Sequence, residues 1–150
     1  MAVDFFRQAL PRIDLIHRGP LVELLVAVSV HEEDRLAAMG RVAPAPVSIV
    51  ALVDTGASVS AIPESVVATL GLDQRDVKVV EGYDGVVRRH PAYDVRFVST
   101  QGGVAMKVRP IAIADTDRPV ESVIGRDVLA QCLLRYDGYH GRFDLAILGP

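Results

Sequence analysis

Short apolar runs rich in valine and isoleucine recur along the chain, separated by glycine, proline and small polar residues. Two of them, LVELLVAVSV from Leu21 and VSIVALV from Val47, have the β-branched composition that is typical of strands. Similar short apolar runs continue through the second half of the chain. The pattern therefore predicts a mostly β protein.

Three segments carry helix signals instead. HEEDRLAAMG, residues 31–40, is closed by a glycine, and PESVVATLG, residues 63–71, has proline near its first turn and glycine at its end. Residues 1–12 predict a short amphipathic helix that ends at a proline. With the following RVAPAP, residues 31–46 predict a helical, proline-rich insertion before the strand at Val47, most simply a surface loop.

The remaining pattern predicts hairpins. VKVVEGYDGVVRRHPAYDVRFVS indicates one hairpin or a pair, with the turn at Gly82-Tyr83-Asp84-Gly85. VAMKVRPIAIA predicts one strand, and VESVIGRDVLAQCLL a short strand leading into a helix. RYDGYHGRFDLAIL predicts a closing hairpin.

The composition argues against some classes of function but does not identify the function. The 150 residues fit one domain, and the net charge of −3, from 16 basic and 19 acidic side chains, argues against a nucleic-acid binder. No apolar run approaches the ~20 residues that a membrane span needs, and no secretory signal is seen. We therefore expect a soluble, cytoplasmic protein. The single Cys132 predicts a buried small hydrophobe, and no Cys/His spacing indicates a metal or other cofactor.

One strand ends in a carboxylate, in ALVDTGASVSAI. Asp54 follows directly on the apolar run, where an unpaired carboxylate is costly unless it is hydrogen-bonded or used in chemistry. Gly56 lets the backbone approach closely, so that its N–H can point at a carboxylate oxygen, and Thr55 adds a hydroxyl that can lock the loop. A triplet this short also occurs by chance, and a simple turn aspartate is the alternative.

A second motif, ESVIGRDVL, favours a functional Asp54 over a simple turn aspartate. It places two apolar β-branched residues before Gly125, and then Arg126 and Asp127 at a helix start. The order of these features resembles that of the retropepsin-like aspartic proteases. It consists of an apolar strand, Asp-Thr-Gly-Ala, a second apolar strand, a hairpin, and then apolar-apolar-Gly-Arg-Asp leading into a helix. These proteases are the single-domain relatives of the pepsin-like enzymes. The resemblance covers roughly residues 21–145.

This resemblance implies a fold and an activity. The implied fold is an acid-protease closed β-barrel with a flap hairpin and one or two short helices, in a single domain over residues 1–150. The implied activity is that of an aspartic endopeptidase acting on peptides or proteins. Pepsin-like chains carry two copies of the motif and this chain carries one, so a homodimer is implied in which two Asp54 side chains form the catalytic pair.

The resemblance also implies roles for further residues. Thr55 and Gly56 join Asp54 in the catalytic motif, and Gly125, Arg126 and Asp127 support it. Residues expected to contact substrate are Ala57, Ser58, Gly82, Tyr83, Asp84, Gly85 and Ile124.

Two positions depart from the family pattern. Ser58 stands where retroviral members often have an acid that pairs with the motif arginine, so Arg126 needs another partner, for which Asp127 and Glu121 are candidates. Ala57 lacks the hydroxyl that pepsin-like enzymes usually have beside the ionised aspartate. Its absence predicts activity nearer neutral pH.

The sequence is compatible with other interpretations. The sequence would also fit an inactive dimerisation or peptide-binding module with the same fold, or an unrelated β-barrel binding domain. Asp115-Thr116-Asp117, after another apolar run, resembles a second motif or the opening signature of haloacid-dehalogenase-type phosphatases. No lysine follows it, which that fold needs, and we interpret it as a turn.

Overall fold

The computed structural model describes residues 2–9, 12–101, 103–115 and 122–148. The elements in chain order are β1 (Ala2–Ala9), α1 (Arg12–Arg18), β2 (Leu21–Val28), α2 (Val30–Ala38), β3 (Val47–Val53), β4 (Ala61–Pro63), α3 (Glu64–Leu70), β5 (Gln74–Glu81), β6 (Val87–Tyr93), β7 (Val95–Ser99), β8 (Ala105–Val108), β9 (Ile111–Ile113), β10 (Ser122–Ile124), α4 (Arg126–Leu129), β11 (Cys132–Asp137) and β12 (Arg142–Leu148).

The strands form two sheets. Nine of them lie in the order β5-β6-β9-β4-β10-β3-β2-β7-β8, and the other three in the order β1-β12-β11. The larger sheet curls into a half-barrel, so the predicted mostly β fold is confirmed, with an open sheet in place of the predicted closed barrel. The described residues contain four short helices, where one or two were predicted.

The centre of the large sheet brings the two motifs together. β3 and β10 pair in parallel, with Val53 opposite Ile124, so the residues that follow each strand emerge side by side. β3 alternates as a strand should, and its Ile49, Ala51 and Val53 face the core. Because both strands end at this point, the Asp-Thr-Gly loop and α4 start from one place.

The core lies on the inner side of this sheet. Phe97 of β7 and Phe143 of β12 are its largest fully buried side chains, and they pack with Leu15, Leu24 and Leu145. Cys132 is only partly buried, and desolvation raises the pKa of its thiol to about 11. This thiol therefore behaves as a neutral packing group rather than a nucleophile.

The predicted hairpin is present as β5 and β6. Its turn is closed by a hydrogen bond from the Gly85 N–H to the Gly82 carbonyl at 2.9 Å, and Gly85 has φ +71°. Val80 on its inner face contacts a small apolar cluster of Ala61, Ala92 and Ile111. The hairpin therefore rises from the sheet on an apolar base and ends in a polar tip.

The helix predicted at residues 31–40 is confirmed as α2. Ser29 caps it by accepting a hydrogen bond from the Glu32 N–H at 3.2 Å, and Glu33 forms an ion pair with Arg96 of β7 at 2.6 Å. Within the described ranges, no helix has the length and apolar character needed to cross a membrane.

Two predictions of secondary structure are wrong, and a third is right only in part, since the helix predicted in VESVIGRDVLAQCLL ends at Leu129 and strand β11 begins at Cys132. Residues 2–9 form strand β1, paired antiparallel with β12, and helix α1 follows it. Pairing with a strand near the other end of the chain satisfies the backbone and outweighs the local helical pattern. The single strand predicted in VAMKVRPIAIA is divided into β8 and β9, which pair with different neighbours in the sheet.

Candidate active site

Asp54 begins the loop that leaves β3. Its backbone N–H donates to the Ile124 carbonyl at 2.9 Å, and its half-buried carboxylate accepts a hydrogen bond from the Gly56 N–H at 2.8 Å. A Cβ atom at position 56 would lie 3.0 Å from the carboxylate oxygen Oδ1. The small residue therefore permits the close approach that holds the carboxylate, as the motif predicts.

An open cleft of about 710 Å³ lies over this carboxylate. It is lined by residues of the Asp54 loop, the hairpin, β9 and β10, namely Asp54, Gly56, Ala57, Ser58, Val59, Ala61, Val80, Glu81, Gly82, Tyr83, Ile113, Val123 and Arg126. This volume falls within the range of ~300–1,000 Å³ that is usual for ligand sites. Part of this lining is apolar, formed by Val59, Val80, Ile113 and Val123, and Asp54 belongs to the same lining.

The cleft includes several of the predicted substrate contacts. Ala57, Ser58, Gly82 and Tyr83 line it, and the Tyr83 hydroxyl comes within 3.7 Å of the position that a Gly56 Cβ would occupy. The hairpin tip therefore reaches over the Asp54 loop even though the Tyr83 side chain is fully exposed.

Other predicted site residues lie outside the cleft lining. Ile124 is fully buried in the core, and its neighbour Val123 lines the cleft instead, because adjacent strand residues face opposite sides of a sheet. Asp84 forms an ion pair with Arg88 at 2.7 Å on the hairpin tip. Hydrogen bonds from Arg88 and from the Val86 N–H lower the pKa of Asp84 to about 2. Thr55 is exposed beside the cleft.

Arg126 holds the Asp54 loop through its backbone and its side chain. Its N–H donates to the Ala57 carbonyl at 2.9 Å, and Nη1 donates to the carbonyls of Thr55 and Gly56 at 2.9 and 3.0 Å. Asp127 is therefore not its partner, and Glu121, the other predicted candidate, lies outside the described residues. Backbone carbonyls take the place of the predicted carboxylate.

Asp127 instead holds the strand after the loop. Its carboxylate accepts from the Ser60 N–H at 3.0 and 3.1 Å and from the Ser60 hydroxyl at 2.7 Å. The same hydroxyl oxygen accepts from the Gly125 N–H at 2.9 Å. Ser60 is fully buried, so this chain of hydrogen bonds locks the two motifs to each other. The sequence did carry a signal for it, since a serine in an apolar strand needs a partner.

Replacing Ser60 with alanine is expected to lower the free energy of unfolding by about 1–3 kcal/mol, because the buried Gly125 N–H would lose its acceptor. Urea unfolding measures the change. Ser58→Ala is the matched control, since this exposed serine two residues earlier is expected to change stability by less than about 0.5 kcal/mol. Equal effects of the two variants would contradict the role given to Ser60.

Asp115 occupies a different setting from Asp54. It follows β9 and accepts hydrogen bonds from the Ser65 N–H and hydroxyl at the start of α3. Residues 116 and 117 of the turn predicted there lie outside the described residues. Asp115 thus has a structural partner and does not line the cleft.

Comparison with known proteins agrees with this geometry. The sequence model of the aspartyl protease family matches residues 39–128, which include both motifs and the hairpin, and the chain belongs to this family. The crystal structure of a retropepsin-like aspartic protease from Rickettsia conorii has a similar fold, with a TM-score of 0.52 and 19% identity over 95% of this chain and 94% of that one. A search of curated proteins finds no match.

Proposed function

We propose that this chain is an aspartic endopeptidase whose catalytic carboxylates are two Asp54 side chains, one from each subunit of a homodimer. The observation that carries the proposal is the Asp54 carboxylate, held by the Gly56 N–H in the lining of a cleft large enough for a peptide. Family membership supports a peptidase and makes an inactive module with the same fold the less favoured alternative.

The chemistry needs two carboxylates that share one proton. Two like charges so close cannot both ionise, a rule for which aspartic proteases are themselves the standard example. The ionised Asp54 takes a proton from a water molecule, which attacks the scissile carbonyl carbon, and the protonated Asp54 donates its proton to the carbonyl oxygen. The tetrahedral intermediate then breaks at its C–N bond as the first Asp54 passes the proton from water to the amide nitrogen. The second Asp54 recovers a proton from a hydroxyl of the intermediate, which leaves a carboxylic acid, an amine and the original pair. No covalent enzyme intermediate forms in this sequence of steps.

The position of the Asp54 loop suits a two-fold contact. Thr55 and Ser58 are exposed, Arg126 fixes the Thr55 backbone carbonyl, and the Thr55 hydroxyl forms no hydrogen bond with any described residue. We expect the two Thr55 side chains to brace the loops across the axis. Gly56 would then lie where the substrate backbone passes.

The β5–β6 hairpin is the proposed flap. Its tip already extends toward Gly56 through Tyr83, and the glycines at 82 and 85 flank the turn. Closure over a bound peptide would exclude water and strengthen the electrostatic interactions in the cleft. The Asp84–Arg88 pair joins the two sides of the tip, and this pair together with the Val86 N–H lowers the pKa of Asp84 to about 2, so Asp84 is charged at neutral pH.

The absence of a hydroxyl at position 57 gives a test by pH profile. Wild-type cleavage of an unstructured protein is expected to be pepstatin-sensitive and fastest nearer neutral than acidic pH, since nothing at Ala57 stabilises the ionised carboxylate. Ala57→Ser is expected to move the acidic limb of kcat/KM down by about half to one pH unit. A wild-type optimum below about pH 4 would contradict this argument.

A further inference from the structure

Among the residues that the structure describes, the guanidinium of Arg126 forms hydrogen bonds through only one of its nitrogens. Nη1 donates to the carbonyls of Thr55 and Gly56, while Nε and Nη2 make no hydrogen bond with any described residue. The side chain is exposed and lines the cleft with Asp54. The free Nε–Nη2 edge is the edge that grips a carboxylate in a bidentate manner.

Other arginines of this chain use the same edge in that way. Arg35 holds Glu32 through Nε at 2.8 Å and Nη2 at 2.7 Å, and Arg109 holds Asp94 through the same two nitrogens. The Nε–Nη2 edge of Arg126, in contrast, binds no carboxylate from the described part of the chain.

The neighbouring side chains leave that edge available. The Asp127 carboxylate is hydrogen-bonded to Ser60. Ser58 stands at the position where an acidic residue of the same chain could pair with the arginine. Glu81 lines the cleft but forms no ion pair with Arg126. Two backbone carbonyls meanwhile fix the guanidinium in orientation, so little conformational entropy remains to be lost when a ligand binds.

We propose that Arg126 is a specificity-determining residue that binds the carboxylate of an acidic side chain in the peptide substrate, close to the scissile bond. The inference rests on the proposed function, because Arg126 is attached to the loop that carries Asp54. Peptides with glutamate or aspartate at one position near the cleavage site are the substrate class that this arrangement favours.

Pairs of fluorogenic peptides that differ only in Glu or Gln at one position, scanned across the residues on each side of the cleaved bond, test the proposal. At one position the ratio of kcat/KM for Glu over Gln is expected to be about five to ten, since hydrogen bonds to charged groups are the stronger ones. High salt should lower the ratio. The ratio is internal to each enzyme variant, so a change in overall activity cancels.

Two variants separate recognition from loop support. Arg126→Lys keeps the positive charge but loses the paired N–H donors of the guanidinium. The ratio of kcat/KM for the Glu over the Gln peptide should therefore fall to about two. Ser58→Asp places a competing carboxylate beside the guanidinium, and the ratio should fall to about one while Arg126 itself is unchanged. A ratio near one at every position in the wild type, or an unaltered ratio in both variants, would overturn the proposal.

A binding measurement distinguishes this failure from failure of the protease assignment. Fluorescence anisotropy with the Asp54→Asn protein compares the affinity for the Glu and Gln peptides without turnover. Cleavage without a Glu preference overturns only the role of Arg126. A Glu preference in binding without any cleavage by the wild type supports the recognition site and overturns the proposed activity, and loss of both overturns both.

Discussion

Replacing Asp54 with asparagine is expected to lower kcat/KM for protein cleavage by at least about a thousandfold, because the pair would lose the group that takes a proton from water. The fold should persist. An asparagine oxygen can still accept the hydrogen bond that Gly56 donates at 2.8 Å, and the side chain is only half-buried. Cleavage of an unstructured protein measures the loss, and thermal unfolding checks that stability changes little.

Asp115→Asn provides a matched control for this prediction. Asp115 also follows a short apolar strand and precedes a threonine, but it faces Ser65 at the start of α3 and does not line the cleft. The Asp115→Asn variant is expected to cleave at the wild-type rate. Retained cleavage by Asp54→Asn, or equal losses in the two variants, would contradict the catalytic role of Asp54.

Gly125→Ala is expected to lower the free energy of unfolding by about 3 kcal/mol and to abolish cleavage. A Cβ atom there would lie 2.7 and 2.8 Å from the carbonyl carbon and oxygen of Val59, and 3.1 Å from the Ala57 carbonyl oxygen. These are backbone atoms of the Asp54 loop and the segment after it. They cannot rotate away as a side chain could, so the loop and α4 must separate.

The backbone conformation of Gly125 does not by itself require glycine. Its φ of −96° is open to alanine, so the expected effect is one of contact and not of strain. Gly138→Ala is the control, since its nearest contact is the flexible ring of Tyr136 at 3.1 Å. Urea unfolding should show a loss below about 1 kcal/mol for this control. A stable and active Gly125→Ala protein would contradict the tight packing of the two motifs.

The large sheet and the placement of Asp54 could be predicted because they depend on local patterns. β3 combines β-branched residues with alternating burial, and the turn at Gly82–Gly85 has the glycines that its geometry uses. The order of the two motifs along the chain was enough to indicate the family. These signals all lie within short stretches of sequence.

The features that could not be predicted depend on residues far apart in the chain. Strand β1 exists because β12 pairs with it, and nothing within residues 2–9 indicates that partner. The contacts of Arg126 are backbone carbonyls, whose directions no residue type reveals. Val123 rather than Ile124 lines the cleft because of the face of the sheet that each side chain occupies. The pairing of this three-residue strand with β3 and β4 sets those faces.

A subunit-mixing experiment tests the central claim, a catalytic pair shared between two chains, most directly. Wild-type and Asp54→Asn subunits are combined in equal amounts and allowed to exchange, and cleavage is compared with that of the same total protein as wild type. A shared pair leaves only wild-type homodimers active, so we predict about one quarter of the activity. About one half would mean that each subunit acts alone, and would contradict the shared Asp54 pair.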